Sequence, residues 1–233
     1  MPSTARPLWH TDLAVALAGL IALVAWDFSG ADLTVARQLA GPGGFPWRDH
    51  WLTSGVLHQG GRAVGWALFA LLLVGIWRPL PFARALPRAV RVWWVLATLA
   101  CVSVIPLLKA RSQTSCPWDL AEFGGVAQYV SHWARGVADG GPGHCFPSGH
   151  ASTGFAFLSG WFALRRHAPR AARWWLAGVL LAGAVFGAAQ LWRGAHYPSH
   201  TLWTGWICFV LCALLSRIPP ALRDRPNGGT LAA

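Results

Sequence analysis

Residues Trp174–Trp192 read WWLAGVLLAGAVFGAAQLW, 19 consecutive positions without a charged side chain and with one strongly polar group, Gln190, near the end. A helix this apolar on every side has no face to turn toward water, so lipid is its natural solvent. At 1.5 Å per residue it rises roughly 28 Å, close to the thickness of a bilayer's hydrocarbon core. Its terminal tryptophans suit the headgroup level, where an amphipathic ring gains on both sides. The same reading extends to Leu13–Phe28, Ala63–Trp77, Val92–Leu108, Ala151–Leu164 and Thr201–Ser216. Some of these fall short of 20 residues and need flanking positions to complete the span. The expected fold is therefore all-α: a polytopic membrane protein of about six transmembrane helices in a bundle.

Composition agrees. Of 233 residues, 55% are hydrophobic and 12% are charged, about half the charged share of a soluble domain. The net charge of +11 would point to nucleic acid in a soluble protein, but here the arginines lie between apolar spans and act as topology signals. No nucleic-acid partner is expected. With the N-terminus inside, the inner segments carry Arg6, Arg78, Arg84, Arg88, Arg91, Arg165, Arg166, Arg170, Arg173, Arg217, Arg223 and Arg225, twelve of the 19 basic residues. The outer segments carry Arg37, Arg48, Arg62, Lys109, Arg111, Arg135 and Arg193 over much longer stretches. The positive-inside rule then puts both termini in the cytoplasm of, most simply, a bacterial inner membrane. A cleaved signal peptide is the rival reading of residues 1–31, where small residues follow a basic residue and an apolar run.

The chain reads as one domain over residues 1–233, with outward segments at about 29–61, 109–147 and 193–200 and basic inward turns at about 78–91 and 165–173. The first outward segment, with its Gly41-Pro42-Gly43-Gly44 turn signal, reads as an interfacial loop or short surface helix without recognisable chemistry. Cys101, Cys208 and Cys212 fall within spans and read as packing residues. Cys116 and Cys145 share the second outward segment, where either a disulfide or two free thiols fit.

Three polar clusters fall on the outer side. Pro147-Ser148-Gly149-His150 opens the fourth span; a helix start presents unpaired N–H groups, Ser148 adds a hydroxyl, Gly149 allows close backbone approach and His150 can move a proton. Gln190, Arg193, His196 and His200 recur every three or four residues around the end of the fifth span, pairing a guanidinium with imidazoles. Lys109 and Arg111 end the third span. Each alone is ordinary for a cap, a snorkelling arginine or a basic flank. Together, on one face, they make a phosphate site with two imidazoles for proton transfer or nucleophilic attack.

These residues resemble the type 2 phosphatidic acid phosphatase superfamily, whose pattern runs K-x6-R-P, then P-S-G-H, then S-R-x5-H-x3-D, over about residues 100–210. The middle element is complete. The resemblance implies a phosphatase for a lipid phosphomonoester or pyrophosphate, with Lys109, Ser148 and Gly149 binding phosphate, His196 as nucleophile and His150 protonating the leaving alcohol. The implied phosphohistidine route requires no metal and no cofactor. The chain departs from the pattern at Cys116, where an arginine is usual, at Ala189-Gln190 in place of Ser-Arg, and at His200 in place of aspartate. Arg111 and Arg193 are the expected replacements for the arginines. His200, Asp119 and Glu122 compete to replace the carboxylate.

The expected partners are a membrane lipid phosphate and the bilayer itself. A second reading is a non-catalytic lipid-phosphate binder or transporter that keeps a degenerate site. A haem protein is disfavoured, because most of the nine histidines lie in loops or at span ends rather than facing each other in the bilayer.

Overall fold

A computed structural model describes residues 8–134, 136–219 and 222. Arg6, Arg135, Arg223 and Arg225, used above for topology, lie outside the described residues. The described chain is helical and contains no strand. Five helices are long and apolar enough to cross a membrane: α1 (Leu8–Asp27), α3 (Trp51–Val74), α4 (Arg88–Lys109), α6 (Pro169–Trp192) and α7 (Pro198–Leu215). A short α2 (Ala31–Leu39) follows α1, and α5 (Ser152–Leu164) stands between α4 and α6. The protein is thus a multi-pass helical membrane protein.

Two elements differ from the sequence reading. The fourth expected span, α5, has 13 residues and rises about 20 Å, so the turns that flank it complete the distance between the two ends of the bundle. It is the buried central helix: Ala156, Phe157, Leu158, Phe162, Ala163 and Leu164 are all buried. Its apolar circumference reflects helices on every side rather than lipid. The other difference is α3, which starts at Trp51 inside the segment read as a loop. Residues Trp51–Gly60 wind as a π-helix before α geometry begins at Gly61. His50 Nδ1 accepts from Leu52 N, and Thr53 Oγ1 donates to the Trp47 carbonyl at 2.6 Å, so the turn has its own capping bonds.

Close packing in lipid depends on small residues and satisfied polar groups, because lipid offers little hydrophobic drive between helices. On α5 and α6 a Cβ at Gly154 would overlap the Gly183 backbone, and one at Gly183 would overlap the Phe155 ring. Thr98 and Ser159 hydroxyls join α4 to α5 at 2.7 Å. Cys101 and Cys212 sulfurs meet at 3.6 Å inside the core, and Cys208 is buried beside them, as packing residues.

One end of the bundle holds the basic turns. Arg165, beyond α5, grips Asp12 of α1 with two bonds of 2.6 and 2.7 Å, a charge pair whose members are both mostly buried. Arg91 NH1 donates to the Gly75 carbonyl, and Trp93 Nε1 to that of Leu215. Helix α1 is held also by Trp206 Nε1 donating to the Ala16 carbonyl. Lys109, His150 and His196 stand at the other end.

Candidate active site

Ser148 is fixed from both sides by α7. Its N–H donates to the His200 carbonyl at 3.1 Å, and its own carbonyl accepts from Thr204 Oγ1 at 2.9 Å. Its hydroxyl is completely buried and has no hydrogen-bond partner among the described residues. A buried hydroxyl without a partner is costly unless a ligand completes it. Beside it, Lys109 lies over Gly149: a Cβ on Gly149 would sit 3.7 Å from Lys109 Cδ. The glycine leaves the backbone beside the lysine side chain uncovered.

His196 and His200 are both nearly inaccessible. Their Nδ1 atoms are 3.5 Å apart, and His196 Nδ1 also lies 3.6 Å from Cys145 Sγ. With Nδ1 occupied, Nε2 is the nitrogen of His196 left for chemistry. Burial first, then the charges of Lys109 and His200, hold His196 well below the ordinary histidine range. It is neutral near pH 7, as an attacking imidazole must be. His200 takes the place expected for an orienting group. Asp119 is engaged in capping its own turn, accepting from Cys116 N and Trp118 Nε1, and Glu122 is engaged with Arg37 at an exposed site.

His150 donates from Nε2 to the Leu57 carbonyl at 2.8 Å, and its ring lies 4.4 Å from that of His58. Burial lowers its proton affinity, opposed by that carbonyl and reinforced by Arg193 and Arg62. Gln190 is buried and sits between Arg193 and His58. Arg193 donates from Nε to the Arg48 carbonyl at 2.8 Å and from NH1 to Gln190 Oε1 at 3.3 Å. Its Nε–H and one NH1 proton are thus engaged within the protein. Arg111, the other expected replacement, is exposed in the turn beyond Lys109 and makes no side-chain bond to the cluster among the described residues.

A cavity of about 340 Å³ adjoins this cluster. Lys109, Gly149, His150, His58 and Arg62 form its polar end, while Trp66, Phe69, Leu99 and Val102 form apolar walls. Trp66 and Leu99 are 59% and 44% exposed, so the apolar side reaches the bundle's outer surface. His196 stands behind the lining rather than on it. A second, mostly apolar cavity of about 540 Å³ shares Gly65, Thr153 and Phe157 with the first.

Cys116 and Cys145 form a disulfide with Cα atoms 5.1 Å apart. Their sulfurs and His196 converge within 4.8 Å, but bonded sulfurs are not thiolate ligands for a metal. Asp32 supports the site from α2: its carboxylate accepts Ser199 N at 3.0 Å and Ser199 Oγ, securing the start of α7 next to His200. Sequence reasoning missed Asp32, His58 and Arg62. His58-x3-Arg62 is one helical turn, a signal visible only once residues 51–62 are read as helix.

Membrane-spanning helices thus surround a buried serine, a lysine and paired imidazoles at one end of the bundle. The chain belongs to the PAP2 superfamily, whose family model matches residues 88–224. That membership supports a phosphatase-type function in general. No curated relative and no solved structure matches the chain.

Proposed function

We propose that the protein hydrolyses a phosphate ester or pyrophosphate of a membrane lipid at the extracytoplasmic face, in a bacterial inner membrane. The observation that carries this is the shape of the first cavity: a cationic, histidine-bearing pole at one end and apolar walls that open on the lipid-facing surface. A phosphorylated lipid has the same division.

In the proposed route the Lys109 ammonium, the Ser148 hydroxyl and the Gly149 backbone hold the phosphoryl oxygens. Neutral His196 attacks phosphorus from Nε2, forming a P–N bond as the P–O bond to the lipid breaks. His150, whose Nε2–H is held by the Leu57 carbonyl, gives a second proton from Nδ1 to the departing oxygen and then takes one there from the water that cleaves the P–N bond. His200 holds the His196 tautomer. Cys116–Cys145 suits an oxidising outer compartment.

Release of inorganic phosphate from a panel of prenyl and acyl lipid phosphates and pyrophosphates, by purified protein in detergent, tests the reading. The buried position of His196 favours one alternative, a non-catalytic lipid-phosphate binder. Binding of those lipids without phosphate release would decide for it.

A further inference from the structure

The π-helical turn of α3 lies outside residues 88–224, the part matched by the family model, yet it delivers His58 to the wall of the first cavity. What His58 does there follows from the bonds behind it. A guanidinium can only donate. Arg193 NH1 therefore faces the oxygen of the Gln190 amide, at 3.3 Å, and the amide nitrogen faces His58 Nδ1, at 3.4 Å. Arg193 is itself held by the Arg48 carbonyl, at 2.8 Å, and lies over the Trp118 ring.

The chain of donors has one direction: Arg193 to Gln190, then Gln190 to His58. Nδ1 of His58 is thus an acceptor, and the proton of the neutral ring sits on Nε2. That Nε2–H has no hydrogen-bond partner among the described residues. The charged or titratable groups facing the ring are His150, Arg193, Arg62 and Lys109, all basic. The three cations among them cannot accept a hydrogen bond, and the Nδ1 of neutral His150, which could, makes no bond with His58 among the described residues. An anion suits a donor set among these cations, and the ring stands in the same cavity wall as Lys109, Gly149 and His150.

We propose that His58 binds the phosphate group of the substrate through its Nε2–H, and that Gln190, backed by Arg193, is the positioning residue that fixes this tautomer. This deepens, and rests on, the reading of the site as a lipid-phosphate site. The π turn makes the arrangement possible, since the same segment supplies the Leu57 carbonyl that accepts from His150. One turn thereby aligns two imidazoles, 4.4 Å apart, on one cavity.

The test uses full-length protein in detergent, labelled with ¹⁵N-histidine, with inorganic phosphate as the probe. The His58 signals are assigned by their loss in His58→Phe. In the unsubstituted protein they should show the Nε2–H tautomer, and phosphate should shift the Nε2 signal. Gln190→Met, which keeps length but removes the donor, should give a mixture of tautomers. Since a hydrogen bond to a charged group is lost, His58→Phe should weaken inhibition by phosphate and raise KM about tenfold, with kcat less affected. His58→Gln, which restores an N–H donor, should recover much of that loss.

An Nδ1–H tautomer in the unsubstituted protein, or phosphate affinity unchanged in His58→Phe, would overturn the proposal. Phosphate binding at His58 in a protein that releases none from any lipid would leave it standing and defeat the phosphatase reading. Active protein with an indifferent His58 would do the reverse.

Discussion

His196 and His200 meet Nδ1 to Nδ1 at 3.5 Å in a pocket closed to solvent. Only one of the two nitrogens can carry the proton of such a bond. When His196 donates, its Nε2 keeps a lone pair for attack. An imidazole can hold that tautomer, but it cannot stabilise the imidazolium that forms later as a carboxylate would. His200→Ala should therefore reduce kcat about a hundredfold with little change in KM. His200→Asp should retain activity and move the acidic limb of the rate profile to higher pH, because a carboxylate raises the proton affinity of His196. Steady-state kinetics across pH on both variants checks this, and a His200→Ala enzyme with unchanged kcat would remove His200 from the mechanism.

Stability should depend on pH through the same burial. Desolvation is the largest influence on His196, His150 and His132, and lowers the proton affinity of each in the folded protein. The unfolded chain, with histidines near 6.5, then binds more protons below that pH than the folded one. Stability is complete above about pH 6.5 and falls as pH drops below it, with a limiting slope of about 1.4 kcal/mol per pH unit for a fully buried histidine such as His196. Thermal unfolding in detergent should show the loss, and His196→Asn should flatten it. Parallel pH curves for the two proteins would contradict the assignment.

The apolar spans and the motif residues were legible because lipid imposes a simple requirement, apolar side chains all round, and because Ser148, Gly149, His150 and His196 lie in short local runs. The spacing of His196 and His200 placed two imidazoles side by side, although Pro198 starts α7 between them. What local pattern could not reveal was the π turn. Gly55, Gly60 and Gly61 weaken helix propensity, His58 and Gln59 break the apolar run, and a π-helix departs from the 3.6-residue period. Packing against α6 stabilises it, and packing is not written in the segment itself. Arg193 was found at the site by its spacing, but its partners, the Arg48 carbonyl and Gln190, are 145 and 3 residues away in sequence. Only the fold joins the first of them. The shortness of α5 was hidden for the opposite reason: a helix buried in protein and a helix buried in lipid carry the same apolar sequence.

Chain-length preference should reside in the second cavity. Gly178 on α6 lines it, and a Cβ there meets nothing within 4 Å, so a larger side chain can be accepted without disturbing the backbone. Replacing glycine inside a helix by another residue also improves helix propensity. Gly178→Phe should raise KM several-fold for long-chain lipid phosphates and leave short-chain analogues unaffected. Equal KM changes for both lengths would place the lipid tail elsewhere.

His150 and His196 are expected to work in opposite charge states, and this separates their roles. An attacking imidazole must be neutral, and burial beside Lys109 and His200 keeps His196 so. The acid must carry a proton when the lipid oxygen departs. In the protein without substrate, burial works against that proton on His150, while the Leu57 carbonyl 2.8 Å away favours it. A phosphate dianion bound at Lys109 adds negative charge beside the ring and shifts the balance toward protonation. Activity should consequently fall as pH rises, once His150 loses its proton even with substrate bound. An activated aryl phosphate needs little protonation of its leaving group, so its alkaline decline should be shallow. By the same reasoning His150→Ala should slow hydrolysis of an alkyl lipid phosphate by about 10²-fold or more and that of an aryl phosphate far less. His196→Ala should abolish both, and with them the phosphorylated enzyme. Equal losses on the two substrates in His150→Ala would deny it the role of acid, and phosphohistidine recovered from His196→Ala would move the nucleophile to another residue.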